Sequence, residues 1–196
     1  KLTYYINNLI ELGIVKKEHS VTMPVKQIAK SRKGLYFLTD SYFRFYFTYM
    51  FPYMSELIDS GSLYIIEKVI KPDLNRFMGY VFEKVCMQVL NYLKSNGDVP
   101  FHFIKIGRWW ERTEEIDIVA FDRENNLIIG ECKWKTAPVG PDVLNKMVDL
   151  NLRILTDAEN VWYYLFSKSG FTKELVDYSK SVSNVKLVSM EQMDVR

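Results

Sequence analysis

A chain of 196 residues, 48% hydrophobic and 15% aromatic, can bury a substantial core, which excludes a disordered or low-complexity polymer. Its 26 basic and 24 acidic residues leave a net charge of +2, so affinity for nucleic acid must come from local patches rather than from the whole-molecule field. Two cysteines, Cys86 and Cys132, exclude a disulfide framework and show no zinc-ligand spacing; they read as buried thiols of a reduced, cytoplasmic protein. No signal peptide is visible and the chain opens at Lys1 without a Met, so a fragment with residues missing upstream is expected. The most lipid-like stretch, residues 42–54, contains Arg44 and Pro52 and is shorter than the roughly 20 apolar residues of a membrane span, so no membrane partner is expected.

At the start, Leu2, Tyr5, Ile6, Leu9, Ile10 and Leu12 recur at helical spacing until Gly13 ends the run. Ile14 and Val15 begin an extended segment, and residues 21–23 and 34–38 read as two further short strands. Residues 16–33 hold Lys16, Lys17, Lys26, Lys30, Arg32 and Lys33 against Glu18 alone, a local charge of +5 with His19 neutral. Helix, strand, basic loop, strand is the order of the second half of a winged helix-turn-helix, whose helix can enter the major groove while the wing touches phosphates. Lys16, Lys17, Arg32 and Lys33 are the candidate DNA contacts of such a wing. The other reading is a solvated loop, or a surface that docks an acidic partner domain, because base contacts cannot be read from a charge count.

Eight aromatics come next, between Ser41 and Tyr53: Tyr42, Phe43, Phe45, Tyr46, Phe47, Tyr49, Phe51 and Tyr53. They fall all round a helix capped by Asp40 or Ser41. Such a helix is expected to be buried, cementing the winged part to the downstream domain, with base stacking as the alternative. A second helix is expected from Ser62 towards Ile70, with Pro72 interrupting it. A third continues through Phe77, Val81, Val85, Val89 and Leu93 to a stop at Asn96-Gly97.

The next run carries acids inside apolar strands. Glu114-Glu115-Ile116-Asp117-Ile118-Val119-Ala120-Phe121 leads through turn-forming residues 122–126 into Leu127-Ile128-Ile129-Gly130-Glu131-Cys132-Lys133-Trp134, the pattern of two antiparallel strands. If Phe121 faces Leu127, then Val119 faces Ile129 and Asp117 falls opposite Glu131, with Lys133 on the same face. Opposed side chains lie roughly 4.5–5.5 Å apart at Cβ, where like charges destabilise, so something cationic is expected between the acids. Mg²⁺ or Mn²⁺ meets that need, since hard cations take carboxylate and carbonyl oxygens while keeping waters for chemistry. Lys133 beside such an ion can position or deprotonate a water and offset charge on a phosphate. The other reading is a solvated ion cluster on a surface hairpin. Ile116, Ile118 and Ala120 on one face, with Val119 and Phe121 on the other, favour strands covered on both sides.

Downstream, residues 142–155 form an amphipathic helical pattern, 161–166 an apolar strand, 173–181 a helix and 185–189 a strand. With the helix ahead of the hairpin, this alternation predicts the α/β class: a mixed β-sheet flanked by helices. The segments Gly107-Arg108-Trp109-Trp110 and Trp134-Lys135 have two readings. Their Trp residues pack at the sheet margin, or Arg108 and Lys135 grip phosphates, Lys135 projecting on the face of Glu131 and Lys133.

The Asp117 and Glu131-Cys132-Lys133 constellation resembles the PD-(D/E)xK, or restriction-endonuclease-like, nuclease superfamily, whose motif is an Asp on one strand and Glu-x-Lys on the next. That superfamily commonly carries a Glu on the helix before the sheet. Gly79-Tyr80-Val81-Phe82-Glu83 stands in the matching place, so the resemblance assigns that role to Glu83. The wider pattern is similar to the uncharacterised C-terminal domain found attached to archaeal-type ATPases. The usual Pro before the catalytic Asp is replaced by Ile116, which alone does not argue for inactivity. The resemblance implies a restriction-endonuclease-like α/β domain over residues 61–196, preceded over residues 1–60 by a partial winged helix-turn-helix and the aromatic helix. It implies a Mg²⁺- or Mn²⁺-dependent deoxyribonuclease in which Asp117 and Glu131 hold the metal, Lys133 aids the attacking water and Glu83 supports metal or water. An upstream ATPase would lie outside this chain, which has no Gly-x4-Gly-Lys-Ser/Thr nucleotide signature. The alternative is a catalytically weak or inactive module that binds DNA or protein partners and regulates that ATPase.

Overall fold

One aspartate closes the turn that sets the register of the main sheet. Asp122 Oδ1 accepts the N–H groups of Glu124 (2.8 Å) and Asn126 (3.0 Å), while Asn125 adopts φ 59°, left-handed backbone that Asn tolerates. The computed structural model describes residues 2–59, 61–154 and 158–193 of the chain, which divides into two units, Lys1–Phe77 and Met78–Arg196.

In the second unit the turn joins β4 (Glu114–Phe121) to β5 (Asn126–Lys133), antiparallel, with Phe121 facing Leu127, Val119 facing Ile129 and Ile118 facing Gly130. This is the register expected from the alternation. β3 (Lys105–Glu111) is antiparallel to β4 on its other side. β6 (Asn160–Ser167) and β7 (Val185–Ser189) follow β5 in parallel, giving a five-stranded mixed sheet in the order β3-β4-β5-β6-β7. The parallel connections run through α7 (Pro141–Ile154) and α8 (Lys173–Ser181), the latter capped by the Thr172 hydroxyl, which accepts from Leu175 N–H. Leu155, the expected last residue of the first of these helices, lies outside the described residues.

Helix α6 (Lys71–Asn96) brings Phe82, Cys86, Val89 and Leu90 onto Ile118, Ala120, Ile128, Cys132, Tyr164, Phe166 and Val188, one continuous buried cluster. These strand residues occupy even positions. The odd positions Val119, Ile129 and Leu165 are equally buried, and α7, with Val143, Leu144, Met147 and Leu150 buried, packs on β5 and β6. Both faces are therefore covered, which is why β4 and β5 read as almost continuous apolar runs.

In the first unit, α1 (Leu2–Glu11) ends at Gly13, whose φ of 72° suits glycine, and β1 (Val15–Glu18) pairs antiparallel with β2 (Leu35–Leu38). The strand expected at residues 21–23 is not there. Val15 already faces Leu38 and Glu18 faces Leu35, so residues 19–34 are an excursion outside the ladder, and Pro24 starts the short helix α2 (Val25–Ile28) within it. Asp40 caps α3 (Ser41–Phe45), its Oδ1 accepting from Tyr42 N–H (2.7 Å) and Phe43 N–H (3.0 Å).

Pro72 does not interrupt the helical run as expected. A π-turn over Ile66–Ile70 follows α5 (Gly61–Ile65) and leads straight into α6, with Lys71 N–H bonding five residues back to Ile66 C=O. The same device precedes Pro52: Tyr46–Met50 is a π-turn, and Phe51 N–H reaches Tyr46 C=O. Widening the turn just before the proline gives its ring room beside the preceding carbonyls. A further helix, α4 (Met54–Asp59), comes after the aromatic stretch.

The all-round burial expected for the aromatic segment is also not found. Tyr49 is buried, donating from its hydroxyl to Asp73 Oδ2 (2.7 Å), whereas Tyr42, Phe43, Phe47 and Phe51 are exposed. The broken helix turns only its Phe45 and Tyr49 side towards Phe77, and the outer rings meet one another, Phe47 and Phe51 edge to face at 5.6 Å. Among the described residues no helix is long and apolar enough to cross a membrane.

The sheet is closely packed at Gly130, where a Cβ would stand 2.9 Å from the Cβ of Ile118. Gly130→Ala is expected to lower stability by about 1–3 kcal/mol, an overpacking cost read from the denaturant midpoint.

Candidate active site

Between the paired positions Gly107–Val119 and Trp109–Ile116, β3 has one residue, Arg108, where β4 has two, Asp117 and Ile118. This is a β-bulge, and it re-aims the Asp117 side chain just where the β4–β5 ladder stops, at Ile118–Gly130. One step past that last pair, Asp117 Oδ2 accepts the backbone N–H of Cys132 at 2.8 Å. The expected opposition of Asp117 and Glu131 thus becomes a side-chain-to-backbone bond between adjacent strands, with Glu131 next in line.

Asp117 is only 9% exposed. Burial pushes its carboxyl up to about 7, and the negative charges of Glu131 and Glu83 push the same way, against the Cys132 N–H and the Lys133 ammonium, which pull it down. Glu83 reaches this group from α6 and Glu131 from β5, so the structure brings Glu83, Glu131 and Lys133 within electrostatic reach of Asp117. Lys133 hydrogen-bonds and ion-pairs with Glu131. Burial alone would lower the Lys133 ammonium, but the charge of Glu131 and its hydrogen bond outweigh burial and hold it above its usual value. It therefore stays protonated at neutral pH and acts as a donor rather than a base. Cys132, between the two motif residues, is kept a thiol by burial, with Cys86 beside it.

Arg108, expected to grip phosphate, is engaged inside the protein. Its Nε lies 3.4 Å from Glu83 Oε2 and its Nη2 3.3 Å from Glu115 Oε2, with the guanidinium side chain only 13% exposed. It ties the helix acid to the bulged edge of the sheet. Lys135 lies past the end of β5, so strand alternation does not aim it; its carbonyl accepts from Ser169 Oγ at 2.6 Å. In the first unit, Lys16 pairs with Glu18 (3.1 Å), Lys17 donates to Ser31 C=O (2.7 Å), and Arg32 and Lys33 are exposed. Sequence reasoning missed the Arg108–Glu83–Glu115 bridge, whose helix partner Glu83 lies far from Arg108 along the chain, and the seating of Lys168 over the Trp134 ring, 4.5 Å from its centroid.

Among the described residues no three His, Cys, Asp or Glu side chains converge as a ready-made metal cage. The donors present are all hard oxygens, and the mutual repulsion felt by Asp117 is what a divalent cation relieves. Asp117 and Glu131 could hold a Mg²⁺-type ion that takes its remaining ligands from carbonyl and water, the usual manner for that ion.

A family model described as archaeal and bacterial proteins of unknown function, DUF234, matches residues 46–147. An uncharacterised protein of Methanocaldococcus jannaschii, MJECL04, is 37% identical over 196 residues, which cover 98% of this chain and 39% of that protein, so the chain spans about two-fifths of its relative. A crystal structure of a protein of unknown function, AF1548, aligns over 57% of this chain and 64% of its own at 18% identity, with a TM-score of 0.34.

The raised Asp117 carboxyl has a consequence for stability. Its favoured protonation stabilises the fold fully below its ordinary value of 3.8, and that contribution is lost as pH rises through about 7. Asp117→Asn keeps an acceptor for Cys132 N–H and removes the charge. Without divalent cations it is expected to match wild type near pH 4 and exceed it at pH 8, by on the order of 4 kcal/mol at most, in denaturant midpoints measured at both pH values.

Proposed function

The chain belongs to the DUF234 family of archaeal and bacterial proteins of unknown function, and we propose that it is a metal-dependent, PD-(D/E)xK-type nuclease domain that hydrolyses DNA phosphodiester bonds. The observation that carries this reading is the buried Asp117 carboxylate, bulged towards Cys132, destabilised by Glu131 and Glu83, and faced by the Lys133 ammonium. A scaffold alone gains nothing from crowding acids in a buried place, whereas a site for Mg²⁺ or Mn²⁺ does.

In this reading Asp117 and Glu131 hold the ion, which when bound supplies Lewis-acid activation of the phosphate and of a water. Lys133, fixed by Glu131, donates hydrogen bonds to the attacking water and offsets charge that builds on the phosphate oxygens. Glu83, tethered by Arg108, orients the water or backs the metal. Since the chain spans 39% of its archaeal relative, the nuclease domain is proposed as one part of a larger protein, with an ATPase as the attached engine.

The exposed cations Arg32 and Lys33 beside the β1–β2 ladder favour a second reading, a winged module that binds DNA while hydrolysis is weak or absent. Its contacts come from the loop and not the helix, because residues 2–11 of α1 carry no basic side chain.

Purified protein incubated with single-stranded, nicked and branched DNA in Mg²⁺ or Mn²⁺ tests both. Cutting should disappear in EDTA, and Asp117→Ala and Lys133→Ala should each reduce it by about 10²-fold or more, the scale seen when a single electrostatic contributor is removed from an active site. Gel shifts that survive both variants, weaken on neutralising Arg32 and Lys33, and accompany no cutting would favour the binding module. Cutting by Asp117→Ala at the wild-type rate would refute the nuclease assignment.

A further inference from the structure

We infer that Lys168, seated on Trp134, is a phosphate-binding residue for the nucleic acid strand, in a contact formed by the loops that extend from the ends of β5 and β6. The inference rests on the nuclease reading for the identity of the strand.

β5 and β6 run parallel and remain paired to their last residues, Lys133 beside Ser167. Their carboxyl ends therefore open side by side on the same edge of the sheet that carries Glu131 and Lys133, the edge at which ligands approach parallel strands. The two loops are stitched together. Lys168 N–H donates to Lys133 C=O (3.1 Å), Ser169 Oγ to Lys135 C=O (2.6 Å), Val139 N–H to Gly170 C=O (3.0 Å) and Thr172 N–H to Val139 C=O (2.9 Å). This lattice fixes the Lys168 backbone directly beside the motif lysine.

The side chain is fixed as well. Its ammonium lies over the Trp134 indole, 4.5 Å from the ring centroid, and Trp134 is itself packed against Phe82 at 5.4 Å. An indole engaged by both neighbours is a pedestal rather than a platform for a base. The ring holds the ammonium without cancelling its charge, and among the described residues no carboxylate pairs with Lys168. A partly exposed cation, preorganised next to the candidate site and with no counter-ion among the described residues, is suited to a phosphate of the strand flanking the bond to be cut.

The test is fluorescence anisotropy of a labelled single-stranded oligonucleotide, titrated in EDTA over a range of salt concentrations, with wild type, Lys168→Gln and Lys168→Arg. Lys168→Gln should weaken binding several-fold, and the slope of log K against log salt should fall by about 0.7, the value for one phosphate contact on a single strand. Lys168→Arg should restore both, which separates a lost contact from damage to the fold. Wild-type affinity and slope in Lys168→Gln overturn the inference, while the nuclease reading is judged separately by whether Asp117→Ala loses cutting. A weakened Lys168→Gln that Lys168→Arg does not rescue, or a wild-type chain that binds no oligonucleotide, also overturns it.

Discussion

The candidate site depends on a two-against-one mismatch between neighbouring strands. Because β4 spends Asp117 and Ile118 where β3 has Arg108 alone, the aspartate leaves the regular alternation and its carboxylate captures the amide of Cys132. The same mismatch sets Arg108 where it can span Glu83 on the helix and Glu115 on the strand. Gly130 contributes by absence of a side chain: it lets Ile118 come close at the last ladder pair, immediately before the strands exchange backbone pairing for a side-chain contact. Geometry that crowds acids is thus built into the sheet itself, not into a mobile loop.

Much of this architecture is legible in the chain. The hairpin register follows from the turn chemistry of Asp122 and Asn125 with period-two alternation, and both predict the partners of Phe121, Val119 and Ile118. The final helix and strand, 173–181 and 185–189, coincide with the structure because Thr172 caps one and apolar alternation marks the other. β3 is not legible. Lys105, Gly107, Arg108 and Glu111 break the apolar pattern, and the strand is recognisable only once β4 offers it an edge. The bridge from Arg108 to Glu83 and the seat of Lys168 on Trp134 join residues 25 and 34 positions apart, distances at which local pattern carries no signal.

In the first unit the departures from expectation share a cause. Pro72 reads as a stop, yet it is taken into a helical run, as Pro52 is, because a π-turn ends shortly before each and bonds five residues back. Density of aromatics reads as depth. The rings instead pack against one another along the outside of a broken helix, with Tyr49 alone of the eight fully buried and anchored to Asp73. Composition indicates how much apolar surface a segment has; only the neighbours available to it decide how much is covered.

The unusual acidity of Asp117 also bears on the order in which the site is assembled. At neutral pH a proton rests on this carboxyl for a large part of the time, while Arg108 and Lys133 balance the neighbouring acids. The folded chain consequently tolerates its crowded acids without help from any ion: the hydrogen is a placeholder. In the proposed metal-dependent reading, a cation held by Asp117 and Glu131 would enter by exchange, displacing that hydrogen to solvent, so its occupancy would depend jointly on metal supply and on the acidity of the surroundings.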